Sequence, residues 1–245
     1  MAAEGQSIDA LSQFALTPIA AGFTNSNLYM LVAGAGISAL MLIGMRSRAR
    51  VPGRLQSLAE VSYEFVYGLV RDQIGHEGKK FFPFVFTLFM FILFGNMLGM
   101  LPYAFTFTSH IAVTFTLALV VFVLVTAVAL AIHGLHFFSY FFPEGAPKAL
   151  APLIIPIEVI SYLSRVVSLS VRLFANMVAG HVMLKVFATF VVMMGSAGAL
   201  GLLGAVAPLA INVALVGFEF LVAFLQAYVF AVLTCIYLHD AVHLH

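Results

Sequence analysis

Seven ionisable side chains fall inside two long apolar stretches of the second half of the chain. Glu158, Arg165, Arg172, His181 and Lys185 lie in the first, Glu219 and Asp240 in the second. A charge at bilayer depth costs about 2.5–3.5 kcal/mol on insertion scales, so such residues face a protein interior or a water-filled cavity. Their spacing adds information. Glu158, Arg165 and Arg172 are seven apart and so share one helical stripe, about 10 Å per step, which Asn176 continues. Glu219 and Gln226 are likewise seven apart. From Glu158 to His181 is roughly 35 Å of helix, the full hydrocarbon depth. Carboxylates and a histidine therefore lie on both sides of a central arginine, and arginine does not release its proton near neutral pH. A fixed positive charge between two proton-exchanging zones interrupts a continuous proton wire. It also favours the ionised form of any mobile carboxylate that passes it. The chemistry is that of two half-pathways that need a moving partner.

The elements that position these residues follow from composition. The 245 residues are 63% hydrophobic and only 9% charged, with 11 Lys and Arg, 10 Asp and Glu, and a formal net charge of +1; the mean hydropathy is +1.10. A soluble domain would carry about 25% charged residues. A water-soluble monomer, a disordered chain and a nucleic-acid-binding protein are excluded, leaving a polytopic all-α membrane protein. The lone Cys235 allows neither an intramolecular disulfide nor a zinc cluster.

Thr24 to Met45 holds no charge and is followed by Arg46, Arg48, Arg50 and Arg54. By the positive-inside rule the N-terminus is outside and this arginine cluster inside. After an outer N-terminal segment (1–25), span 1 is expected over 26–46. An amphipathic helix on the inner surface is expected over 53–75: Leu55, Leu58, Val61 or Ser62, Phe65 and Leu69 recur at helical spacing, with Arg54, Glu60, Glu64, Arg71 and Asp72 on other faces. From Phe81 to Pro143 there is no Asp, Glu, Lys or Arg. Pro102 and the polar run Thr106, Thr108, Ser109 and His110 divide that stretch into span 2 (83–105) and span 3 (110–133), joined by an outer turn. Four prolines, with Gly134 and Gly145, predict an inner hairpin over 134–156. Long helices 4 (157–194) and 5 (205–240) follow, both exceeding the hydrocarbon thickness. The chain is thus one membrane domain of five crossings plus one surface helix, with its C-terminus inside.

At this point the residues resemble a family. The run Ser168-Leu-Ser-Val-Arg172-Leu-Phe-Ala-Asn176-Met-Val-Ala-Gly180-His181 is similar to the signature of subunit a of the F-type ATP synthase membrane sector. Asn96-Met-Leu-Gly-Met-Leu-Pro102 looks like that family's earlier span, and the resemblance covers essentially the whole chain. It implies a proton-channel stator subunit, not an enzyme by itself and without a cofactor or metal. Its partners would be c-ring subunits, b-type peripheral stalk subunits, the rest of the complex and the lipid bilayer, with no nucleic acid. It implies that Arg172 is the essential stator charge facing the ring carboxylates. His181 and Glu219 would form the outer half-channel, with Asn176 and Gln226 near the arginine. Glu158, with Asp240, would line the inner one. Many bacterial members carry the carboxylate and histidine of the His181 and Glu219 positions exchanged; the arrangement here is the one in mitochondrial-type relatives, and either order preserves a possible relay. The implied location is the bacterial inner membrane, with the mitochondrial inner membrane as the alternative.

Two rivals are weaker. A self-contained proton-coupled transporter would need charges in both halves and repeats, and the first three spans are free of charge. A haem-binding redox subunit would need facing histidines at mid-depth, where only His181 qualifies. A salt bridge from Arg172 to Glu219 or Glu158, or from Glu219 to Lys185, would make these charges merely structural. His239 and His243 have metal-compatible spacing, yet at an inner C-terminal tail solvation is the better reading. No G-x-x-x-x-G-K-[ST] occurs, so nucleotide chemistry belongs to other subunits.

Overall fold

The computed structural model describes residues 12–20, 22–46, 51–101, 104–134, 137, 150–196 and 198–243. Among the described residues there are six α-helices: α1 (Asn25–Gly44), α2 (Arg54–Ile74), α3 (Phe82–Gly99), α4 (Ile111–His133), α5 (Ala151–Gly195) and α6 (Ala199–Val242). A small antiparallel pair, Pro18–Ala20 with Phe23–Thr24, precedes them. All but α2 are long and apolar enough to cross a membrane. Apolar composition selects helix here because a bilayer offers no water to the backbone, so each N–H and C=O must be satisfied within the segment. Even the Val- and Thr-rich α4 is therefore helical throughout.

Residues 1–11 of the N-terminal segment, 138–149 of the expected inner hairpin, Arg48, Arg50, Pro102 and His245 lie outside the described residues. Elsewhere the boundaries move in ways the sequence does not announce. Helix α5 starts at Ala151 and runs through Pro156, and α6 starts at Ala199 and runs through Pro208. Proline costs a helix one N–H and crowds the carbonyl four residues back. Pro152 sits in the first turn, where that N–H has no partner anyway. Helix α3 stops at Gly99, and residues 104–106 are not helical. The chain here turns back, so Thr106 and Phe107 pack against Gly99 and Gly95.

The core centres on α3 and α6, where Phe89, Met90, Ile92, Phe230 and Leu238 are fully buried. Helix α2 packs Ala59, Val66, Leu69, Val70 and Ile74 inward, while Leu55, Leu58, Val61 and Phe65 stay exposed. Most of the apolar row legible in the sequence thus stays exposed, although Leu58, Val61 and Phe65 also line a groove with Phe89, Leu93 and Phe224 of α3 and α6. Helices α5 and α6 form an antiparallel hairpin turned at Gly198, whose φ of 93° favours glycine. Three meetings set its register. Arg165 lies against Asp240 near one end, Gly180 against Glu219 in the middle, and Met194 against Gly204 near the turn.

Candidate functional site

The middle of the α5–α6 hairpin encloses a cavity of about 360 Å³. Asn176 and Gly180 line it from α5, Glu219 and Gln226 from α6, among apolar neighbours. Gly180 makes the approach possible, because a Cβ there would overlap the Glu219 carboxylate. Glu219 is 5% exposed, and neither carboxylate oxygen has a hydrogen-bond partner among the described residues. Burying a carboxylate without donors costs several kcal/mol. Such a cost persists where a group must meet something that comes and goes.

His181 follows Gly180 but aims elsewhere. Its Nε2 lies 3.0 Å from the Thr106 hydroxyl, and the Phe14 ring stands edge-on to it at 6.2 Å. His181 does not line the Glu219 cavity, and its side chain instead joins α5 to the segment between α3 and α4. That segment was read from the sequence as a plain outer turn; it is a buried plug. Thr106, Thr108 and Ser109 are buried, and the Thr108 hydroxyl donates to Asn96 Oδ1 at 2.8 Å. Asn96 Nδ2 donates to the Ala223 carbonyl of α6 at 3.1 Å. The plug thus fastens α3 to α6 and holds His181. The signal for it was present: polar residues alternating with Phe105 and Phe107, opposite Gly95 and Gly99 on the preceding helix.

Arg172 lies one turn from Asn176, toward the opposite end of the hairpin from His181. It is exposed and makes no ion pair among the described residues, with Glu219, Glu158 or any other acid. Glu158 is half-buried near the start of α5. Asp240 accepts from Arg165 Nη1 at 3.5 Å, and the Arg165 guanidinium stands 4.9 Å from the Tyr237 ring centre and 5.5 Å from that of Tyr162. The sequence stripe therefore winds. A seven-residue step falls about 20° short of two full turns, and Arg165 is ion-paired to α6 whereas Arg172 has no ion pair among the described residues. Asn176, Glu219 and Gln226 come together, His181 does not line their cavity, and Glu158 and Asp240 lie toward the other end. The ion pair of Asp240 with Arg165 is the one feature of that end that spacing did not foretell.

Chemically, this arrangement offers a buried acid on one side of a guanidinium that has no ion pair among the described residues. The model of the family described as ATP synthase A chain matches residues 27–239. The chain is 66% identical to ATP synthase subunit a of Granulibacter bethesdensis, with all of both chains covered. It is 58% identical to that of Acidiphilium cryptum, over 99% of this chain and 100% of the relative. To the subunit a of Rhodospirillum rubrum it is 53% identical, over 96% and 98%.

Proposed function

The chain belongs to the ATP synthase A chain family, and from that membership we propose how its last two helices move protons. It is a polytopic membrane subunit, a stator and proton-conducting part of the ATP synthase complex that catalyses no bond-making itself. In our reading the exposed side of α5 around Arg172 faces the c-ring, and b-type stalk subunits hold the chain against rotation. The N-terminus lies outside and the C-terminus inside a bacterial inner membrane, as the arginines from Arg46 to Arg54 favour.

A proton enters from the outer side by way of His181 and Glu219. It crosses the cavity beside Asn176 and Gln226 and neutralises a ring carboxylate, which can then face lipid. After the ring turns, the proton leaves toward the inside past Glu158 and Asp240. Arg172 separates the two paths: its charge keeps the unprotonated ring carboxylate ionised as it passes, and it denies protons a direct route. Each charge carried through 100 mV supplies about 2.3 kcal/mol.

The observation that carries this reading is the exposed Arg172, without an ion pair among the described residues, one turn along α5 from Asn176, which lines the cavity of Glu219. A guanidinium left without a counter-ion at bilayer depth calls for an acid from outside the chain. The test is ATP-driven proton pumping by vesicles containing the whole complex with Arg172→Ala. Loss of pumping, with a passive proton leak under an imposed gradient, is expected; pumping at the wild-type rate would overturn the assignment.

A further inference from the structure

The end of α2 carries a second cluster of charged side chains, away from the α5–α6 hairpin. Tyr63, Tyr67, Arg71, Gly75 and Lys79 follow one another at steps of four, which keeps them near one face as the helix passes into the 3-10 turn Gly75–Lys80. Tyr67, Arg71, Gly75, His76 and Lys79 line a cavity of about 170 Å³. Gly75, at a φ of 80° that favours glycine, borders open space within it. Arg71, His76 and Lys79 are exposed, and none of them is ion-paired among the described residues. The neighbouring acids Asp72 and Glu77 do not line the cavity.

An aromatic ladder leads away from these cations. Tyr67 stacks on Tyr63 with the rings 8° from parallel, and Phe82, at the start of α3, meets Tyr63 edge-on at 4.7 Å and Tyr67 at 5.8 Å. Phe86 continues the row at 5.6 Å from Phe82, one turn further along a membrane-spanning helix. A cluster of N–H donors at one end of an aromatic track, where a surface helix meets a spanning one, has the polarity of a phospholipid. The cationic end suits a phosphate, and the rings suit the interfacial zone and the first part of an acyl chain.

We propose that the Arg71–His76–Lys79 cavity binds the phosphate of an anionic phospholipid whose acyl chain runs along Tyr67, Phe82 and Phe86. Arg71 supplies the forked donor, Lys79 the second charge and His76 a ring N–H. The site depends on the chain's membrane placement and not on the proton path, so it can fail while the reading of Arg172 stands.

The test uses the whole complex in phosphatidylcholine nanodiscs doped with photoactivatable phosphatidylglycerol, mapping the covalent adducts onto the chain. Adducts are expected between residues 63 and 86. They should fall about five-fold for each cation removed in Arg71→Ala and Lys79→Ala and return in the charge-keeping pair Arg71→Lys with Lys79→Arg. Removing two charges elsewhere, in Arg46→Ala with Arg54→Ala, should leave them unchanged. Four outcomes would overturn the proposal. One is equal labelling by photoactivatable phosphatidylcholine. Another is equal loss in the Arg46 and Arg54 variant, which would mean diffuse charge attraction. Displacement by millimolar inorganic phosphate would assign the cavity to a free anion. Adducts joining Lys79 to an acidic segment of another subunit, in place of lipid, would make it a protein contact.

Discussion

Helices α3 and α4 hold no Asp, Glu, Lys or Arg, whereas α5 and α6 hold six. Both pairs bury hydrogen-bonded polar atoms, Ser170 and Thr234 among them on the second pair, but the second pair adds charged groups without partners among the described residues. Asn96 of α3 is fully buried, donates to Ala223 and accepts from Thr108. Thr126 of α4 bonds the Tyr162 hydroxyl at 2.8 Å. On the other pair, Glu219 is buried with both oxygens unpartnered and Arg172 has no acid beside it. A satisfied polar group in a membrane is a fastening, since its hydrogen bonds are complete within the fold. An unsatisfied one is destabilising in isolation and marks where something must arrive. The first region frames the second: α3 and its plug hold α6 and His181, so that the costly groups keep their place.

The distinction breaks most visibly at Glu219. Glu219→Gln keeps the size of the side chain and removes the exchangeable proton, so ATP-driven pumping by the assembled complex should fall about 100-fold, the usual scale for losing an acid–base group. Near-normal pumping would show that an unpartnered carboxylate can be silent here. Asn96→Leu is the matching test of the other region. It should lower the stability of the complex by about 1–2 kcal/mol, seen as an earlier midpoint of thermal dissociation, while pumping per assembled complex stays near normal. A strong pumping defect at unchanged stability would move Asn96 into the proton path.

Gly180→Ala sharpens the comparison, because it adds bulk without touching a titratable group. Its Cβ would displace the Glu219 carboxylate, and pumping should drop about ten-fold on the scale of a misplaced acting group. Normal pumping would mean that the carboxylate need not sit against α5. Asp240→Asn should matter less. The Arg165–Asp240 pair is partly exposed, so its loss costs about 1 kcal/mol or less, readable as a small shift in the same dissociation midpoint. A large pumping defect without that shift would show that Asp240 serves the inner path by exchanging protons itself, beyond anchoring Arg165 beside it.

Much of this was legible in the residues, for a physical reason. Charges are so expensive in lipid that their few positions stand out, and seven-residue spacing puts Glu158, Arg165 and Arg172 on one stripe, which Asn176 continues, and Glu219 and Gln226 on another. The first three spanning helices followed from charge-free runs ended by arginines or polar turns, and the last two from long apolar stretches in which a few charges stand alone. What spacing could not supply was long-range pairing. That Thr106 reaches His181, or that Asp240 meets Arg165, depends on how a segment folds back and on hairpin register. Proline misled at Pro156, which falls in the expected hairpin but lies inside α5, because a helix supported by its neighbours tolerates one missing backbone bond that an isolated one would not.

The plug between α3 and α4 offers the mildest test of the same contrast. His110, just ahead of α4, stacks on Phe105 at 5.2 Å, and its Nε2 is buried without a partner among the described residues. Burial pulls the imidazole below its ordinary range, and a hydrogen bond with the Phe14 backbone offsets this only in part. The folded state therefore favours the neutral ring. Its contribution is complete above the ordinary imidazole value of about 6.5 and is lost as the pH falls below that, because the unfolded chain takes up the proton more readily. The dissociation midpoint of the wild-type complex should decline more than that of His110→Gln between about pH 7.5 and about pH 5.5. Equal declines would remove His110 from the fastening. A decline confined to pumping would mean that the plug belongs to the outer proton path, and the division between fastened and waiting polar groups would then run through the α3–α4 connection.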